Sequence, residues 1–176
     1  MEKRPRIKLE LNFHDKIVDW IGWGLLAVIW FFAIYGYVYL PETIAVHFDV
    51  AGKPDGYGNK ISILFIPFIT TALLVGMTIL NNYPHIFNYP VKITELNFVR
   101  QYHTATRLIR WLKLFIALIF AIILLSIYNA AINIQTKTMQ WMIPLILLLT
   151  FVPVVVYLVS ASKNSKKLVS GNKTRK

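Results

Sequence analysis

Cysteine is absent from this 176-residue chain, which removes disulfides, thiolate nucleophiles and cysteine-based metal sites together. Acidic residues are few: eight Asp and Glu stand against 19 Lys and Arg, a formal net charge of +11. A surplus of that size invites a polyanionic partner. The basic residues nevertheless fall in three groups flanking apolar stretches, so membrane-surface charge is the simpler source and no nucleic acid partner is expected. No Ser-His-Asp order, nucleotide loop or H-E-x-x-H motif occurs, and no cofactor is expected. Charge is also missing from the middle of every long apolar stretch. Proton relays and ion pathways usually need such groups, whose burial costs roughly 2.5 kcal/mol or more, so a transporter or pump is disfavoured. Asp19 and Lys113 lie near stretch ends, within reach of the interface.

What the chain does have is apolar length. Hydrophobic residues make up 56% and mean hydropathy is +0.54, above the roughly 45 to 50% of ordinary soluble domains. Crossing a hydrocarbon core of about 30 Å takes roughly 20 mainly apolar residues. Four stretches satisfy this: Ile17 to Leu40, Ile61 to Leu80, Leu114 to Ile134 and Trp141 to Ser160. The first is too long and too aromatic for a signal peptide, and it leads to no small-x-small cleavage site. The expected fold is an all-α membrane protein with four transmembrane helices. Pro67, Pro144 and Pro153 predict kinks inside spans, with Ser62, Thr70, Thr71 and Thr150 as partners for freed carbonyls. The expected segments are a basic tail (1–16), a two-span unit (17–80) with an outer loop (41–60), a link (81–113), a two-span hairpin (114–160) and a second basic tail (161–176).

Sidedness follows from Lys and Arg, which are retained in cytoplasmic loops. Sixteen lie in the two tails and the 81–113 link, and only Lys53, Lys60 and Lys137 lie elsewhere. This predicts a multi-pass protein of the cell membrane with both termini cytoplasmic. The 41–60 loop and a short turn near Asn133 to Gln140 would face outward. Trp20, Trp23, Trp111 and Trp141 lie near span ends, where amphipathic rings favour the interface.

In the link, Asn-Tyr-Pro occurs twice, at Asn82 and Asn88, and reads as an extended interfacial crossing with tyrosines at headgroup depth. Thr94 is the expected N-cap of a following helix, with Glu95 in its first turn. Leu96, Val99, Tyr102, Ala105, Ile109 and Leu112 share one face, opposite Asn97, Arg100, Gln101, Thr104 and Arg107. This predicts a cytoplasmic, interfacial amphipathic helix whose Arg100, Arg107 and Arg110 meet the inner leaflet or a partner.

The outer loop holds Glu42, Asp49, Asp55 and His47. Ile44 to Phe48 is strand-like, and Lys53-Pro54-Asp55-Gly56 has the composition of a tight turn, so the loop should be ordered. On a strand, His47 and Asp49 would share a side, and with Asp55 they form a candidate metal-ligand set. A role in holding the turn competes with it.

The run from Leu40 to Lys60, with Pro41, His47-Phe48, Gly52-x-Pro54-Asp55 and Gly58-x-Lys60 after a first span, resembles the domain of unknown function sixteen-forty-eight family. Asp49 stands where relatives often have Asn. The run from Asn81 to Asn97 is similar to short members of the same family. The resemblance extends to SdpI-type immunity proteins, which protect cells from a secreted killing peptide and take part in signalling by sequestering a repressor at the membrane. Those relatives carry a further multi-span region with no counterpart found here. The resemblance implies an immunity-like or envelope-sensing role. In it, His47, Phe48, Asp49, Gly52, Pro54, Asp55, Gly58 and Lys60 meet an extracellular peptide or envelope ligand, and a cytoplasmic regulator or membrane protein partner reads the signal. Two other readings stay open: a metal-dependent envelope enzyme using His47, Asp49 and Asp55, and an accessory subunit of a transporter. A non-catalytic role is favoured.

Overall fold

In the computed structural model, residues 4–132, 134 and 139–173 are described, with side chains described through Lys163 except that of Met139. Most of the sequence expected to form the short 133–140 turn lies outside the described residues. Helix α1 (Phe13–Tyr39) leads into strands β1 (Thr43–Phe48) and β2 (Pro54–Asn59). A 3-10 turn (Lys60–Leu64) then opens α2 (Phe65–Leu80), and α3 (Phe98–Ala131) and α4 (Met142–Lys173) follow. Each of the four helical segments is long and apolar enough to cross a membrane, the architecture of a multi-pass membrane protein.

Contacts fix the up-and-down order. Leu26 of α1, Leu74 of α2 and Ala117 of α3 meet in one cluster. Nearer the hairpin, Ile29, Ala33, Leu40, Ile44, Ile63, Ile66, Leu124 and Ile127 form another. Thus α1 and α3 run parallel, with α2 reversed between them. At the opposite end, the fully buried Gln101 donates to the Ala161 carbonyl at 3.2 Å, so α4 returns beside the start of α3. The N-terminal segment and the described end of α4 therefore share one end of the bundle, and β1 and β2 occupy the other.

Along α1 the buried positions are Asp15, Val18, Gly22, Leu26, Ile29, Ala33 and Gly36, a stripe spaced by three and four residues. The opposite side exposes Trp20, Ile21, Val28, Phe31 and Tyr35. Water would penalise such a surface, whereas lipid solvates it. Gly36 allows the tightest approach, because a Cβ there would come within 2.6 Å of the Tyr128 hydroxyl and 2.8 Å of Ile63 Cδ1. That hydroxyl donates to the Phe32 carbonyl.

Two of the three prolines lie near the starts of their α-helices rather than in the middle. Pro67 and Pro144 each occupy the third position of an α-helix, directly after a 3-10 turn. Only Pro153 lies inside its helix. Thr70 and Thr71 donate to the carbonyls of Ile66 and Pro67, each at 2.7 Å, and Thr71 also accepts from Trp30 Nε1 at 3.0 Å.

The link also differs from expectation. Its helix begins at Phe98 rather than after Thr94, with Asn97 at the cap, and it continues unbroken into the third span. Asn97 accepts from the Thr94 amide at 2.8 Å and donates to the Lys92 carbonyl at 2.9 Å, so it fixes the turn before the helix. The expected faces hold only in part: Tyr102 and Ala105 are buried and Arg100 is exposed, but Asn97 and Gln101 are buried as well, and Leu96 and Val99 are exposed. Asn97 and Gln101 are buried because each finds a backbone partner there, the Lys92 and Ala161 carbonyls.

The tyrosines of the link divide. Tyr83 is exposed, but Tyr89 is buried, stacks on Tyr102 with ring centroids 5.6 Å apart and donates to the Pro84 carbonyl at 2.8 Å. Burial pushes the Tyr89 hydroxyl above the usual tyrosine pKa, with Tyr102 and Tyr157 adding to the rise and Arg4 opposing it. Residues 4–12 have no regular secondary structure and alternate in exposure, with Pro5, Ile7, Leu9 and Leu11 half-buried. Ile7 and Leu9 pack on the Tyr89 and Tyr102 cluster. Arg4 donates to the Phe87 carbonyl at 2.6 Å and lies over the Tyr89 ring.

Candidate functional site

The sequence-selected residues gather on the β1–β2 hairpin. The strands pair antiparallel, and the connection turns at Asp49 to Gly52 rather than at Lys53 to Gly56. The Gly52 amide donates to the Asp49 carbonyl at 2.9 Å, and the Asp49 amide to the Lys53 carbonyl at 2.8 Å. Gly52 has φ of 80°, a left-handed conformation that costs other residues roughly 1–2 kcal/mol. Pro54 starts β2, the strand position where its missing donor matters least.

This geometry separates the proposed ligands. Asp49 lies beyond the end of β1, and register shifts flank His47, so simple alternation does not place them on one side. The Asp49 carboxylate accepts from the Lys53 amide at 2.8 Å and braces the turn. His47 Nδ1 instead meets Asp55 Oδ1 across the strands at 2.5 Å. Gly56 makes room for this pair, since a Cβ there would stand 2.9 Å from His47 Cβ. Among the described residues no group of three His, Asp or Glu side chains is arranged to hold a metal ion. His47 and Asp55 alone supply two donors.

An isolated two-stranded hairpin is marginal, and here it is anchored. Ile44 and Ala45 are each 1% exposed, and Ile44 and Phe48 join the cluster at the hairpin end of α1 and α3. Lys60 pairs with Glu42 at 2.8 Å and stands over the Tyr37 ring. Asn59 accepts from the Ile61 amide at 2.9 Å, capping the turn into α2. The outward surface carries His47, Asp55, Tyr57 and Val50.

At the far end of the same two helices lies a constellation that the sequence reading missed. Asp15 accepts from Arg107 Nε at 2.9 Å and its terminal nitrogen at 3.3 Å. Asp19 accepts from Arg110 Nε at 3.2 Å and from Lys113 Nζ at 2.5 Å. Lys113 is 1% exposed. It also donates to the Thr78 hydroxyl at 3.2 Å and lies over the Trp23 ring. Two carboxylates four apart on α1 thus face three cations spaced by three on α3, joining the first and third spans with α2 through Thr78. Of the basic residues expected at the leaflet, Arg100 is exposed, Arg107 half-exposed and paired, and Arg110 buried. The signal was legible in those complementary spacings, but assigning the cations to membrane sidedness concealed it.

Residues 24–71, covering most of α1, the hairpin and the start of α2, match the domain of unknown function DUF1648. An uncharacterized protein of Archaeoglobus fulgidus is 29% identical over 84 residues, covering 43% of this chain. The match spans 46% of that relative, less than half its length. No solved structure matches.

Proposed function

We propose that this chain is an envelope-sensing membrane protein of the immunity-like type, lying in the cell membrane with both termini cytoplasmic. Its hairpin meets an extracellular peptide or envelope ligand through His47, Asp55 and their neighbours. The observation carrying this reading is the seating of an exposed polar rim directly on the α1–α3 core. His47 and Asp55 keep side-chain exposures of 71% and 46%, while Ile44 on the same hairpin is buried. A load on the rim therefore reaches two membrane helices without a flexible linker. The charge bias supports the orientation, because the residues that would face outward are poor in Lys and Arg.

A partner at the cytoplasmic end would then read the helices, with exposed Arg100 available to it. The metal-dependent enzyme reading has less support, since Asp49 is committed to the turn and, among the described residues, no third ligand joins His47 and Asp55. Survival of sensitive cells under a secreted killing peptide tests the sensing reading. The His47→Ala/Asp55→Ala variant should lose protection at unchanged membrane abundance. Full protection by that variant would overturn the role given to the rim.

A further inference from the structure

We propose that a groove beside the start of α1 binds the headgroup of an anionic phospholipid. The groove encloses about 300 Å³ and is lined by Leu11, Lys16, Asp19, Trp20 and Trp23. It lies against the ion network and at the end of a membrane-length helix, where headgroups meet the protein.

Charge balance identifies the occupant. Asp15 and Arg107 cancel, but Asp19 is shared between Arg110 and Lys113, which leaves one positive charge in excess within the bundle. Lys16 contributes a second and makes no ion pair among the described residues. Although Asp19 lines the groove, one oxygen is held by Arg110 and the other by Lys113, so it does not present a bare carboxylate. Uncompensated charge next to hydrocarbon is costly, and an anion at the groove mouth offsets it. The exposed, flexible Lys16 ammonium is suited to a phosphate as a point charge.

The rest of the lining favours a lipid over a free anion. Leu11, Trp20 and Trp23 offer apolar surface, and Ile17 and Ile21 beside them and Val28 deeper along α1 are 37%, 49% and 48% exposed, a track for an acyl chain. Tryptophan rings at headgroup depth suit the boundary between the two parts of a lipid. This inference does not depend on the hairpin's ligand.

Native mass spectrometry of the full chain in detergent micelles tests it, with phosphatidylglycerol and phosphatidylcholine of equal chain length as probes. Phosphatidylglycerol should be retained in preference to phosphatidylcholine. Lys16→Gln should weaken its retention about fivefold, the worth of one basic residue at an anionic surface, and Lys16→Arg should preserve it. Soluble glycerophosphate at the same concentration should not displace the lipid. Equal retention of both lipids, unchanged binding by Lys16→Gln, or displacement by glycerophosphate would each overturn the proposal.

Discussion

Asp19 shows how far one side chain organises this molecule. It pairs with Arg110 and Lys113 at once, and both cations are almost without solvent. Removing one member of a buried pair strands the other, typically at about 3–5 kcal/mol. Asp19→Asn should therefore lower stability by about 3 kcal/mol, measured by reversible unfolding in mild detergent. The double variant Asp19→Asn/Lys113→Met should recover part of the loss, because it removes the orphaned ammonium as well. Equal or greater loss in the double variant would show that the two residues are not coupled. At this scale the sequence was least legible: charge near a span end reads as solvated until the facing helix is known. The burial of Asn97 and Gln101 is hidden from the sequence for a related reason, since it is favourable only where the fold brings the Lys92 and Ala161 carbonyls within reach.

Among the elements, the hairpin depends on a few backbone requirements. Gly52 supplies the left-handed turn, Asp49 closes it, and Gly56 allows His47 to approach β2. Gly52→Ala should destabilise the hairpin by about 1 kcal/mol. Amide exchange in β1 and β2 should accelerate, with protection in the centre of α1 unchanged. Uniform acceleration throughout α1 would contradict the view that the turn acts locally. The helices themselves were readable because apolar runs of about 20 residues admit few alternatives. Strand composition over Ile44 to Phe48 was readable too. The turn lies four residues before the one its composition suggests, because Pro54 and Gly56 carry strong turn propensities in isolation, whereas pairing with β1 makes them strand residues. The alternation of Pro5, Ile7, Leu9 and Leu11 was present in the sequence, but neighbouring positive charges disguised it as a solvated tail.

For the whole molecule, the arrangement joins a polar rim at one end to an ion network at the other through two parallel helices. The N-terminal segment, the link and the described end of α4 enclose the network end through Ile7, Tyr89, Tyr102 and Gln101. A sensing protein built this way needs its rim and its two ends on opposite sides of the membrane. The natural lack of cysteine makes that requirement directly measurable. Val50 in the hairpin turn is 82% exposed, and Glu95 in the link is exposed as well. With a membrane-impermeant maleimide, Val50→Cys should be labelled in intact cells, and Glu95→Cys only after permeabilisation. Labelling of Glu95→Cys in intact cells, with Val50→Cys silent until they are opened, would contradict the proposed orientation and the function built on it.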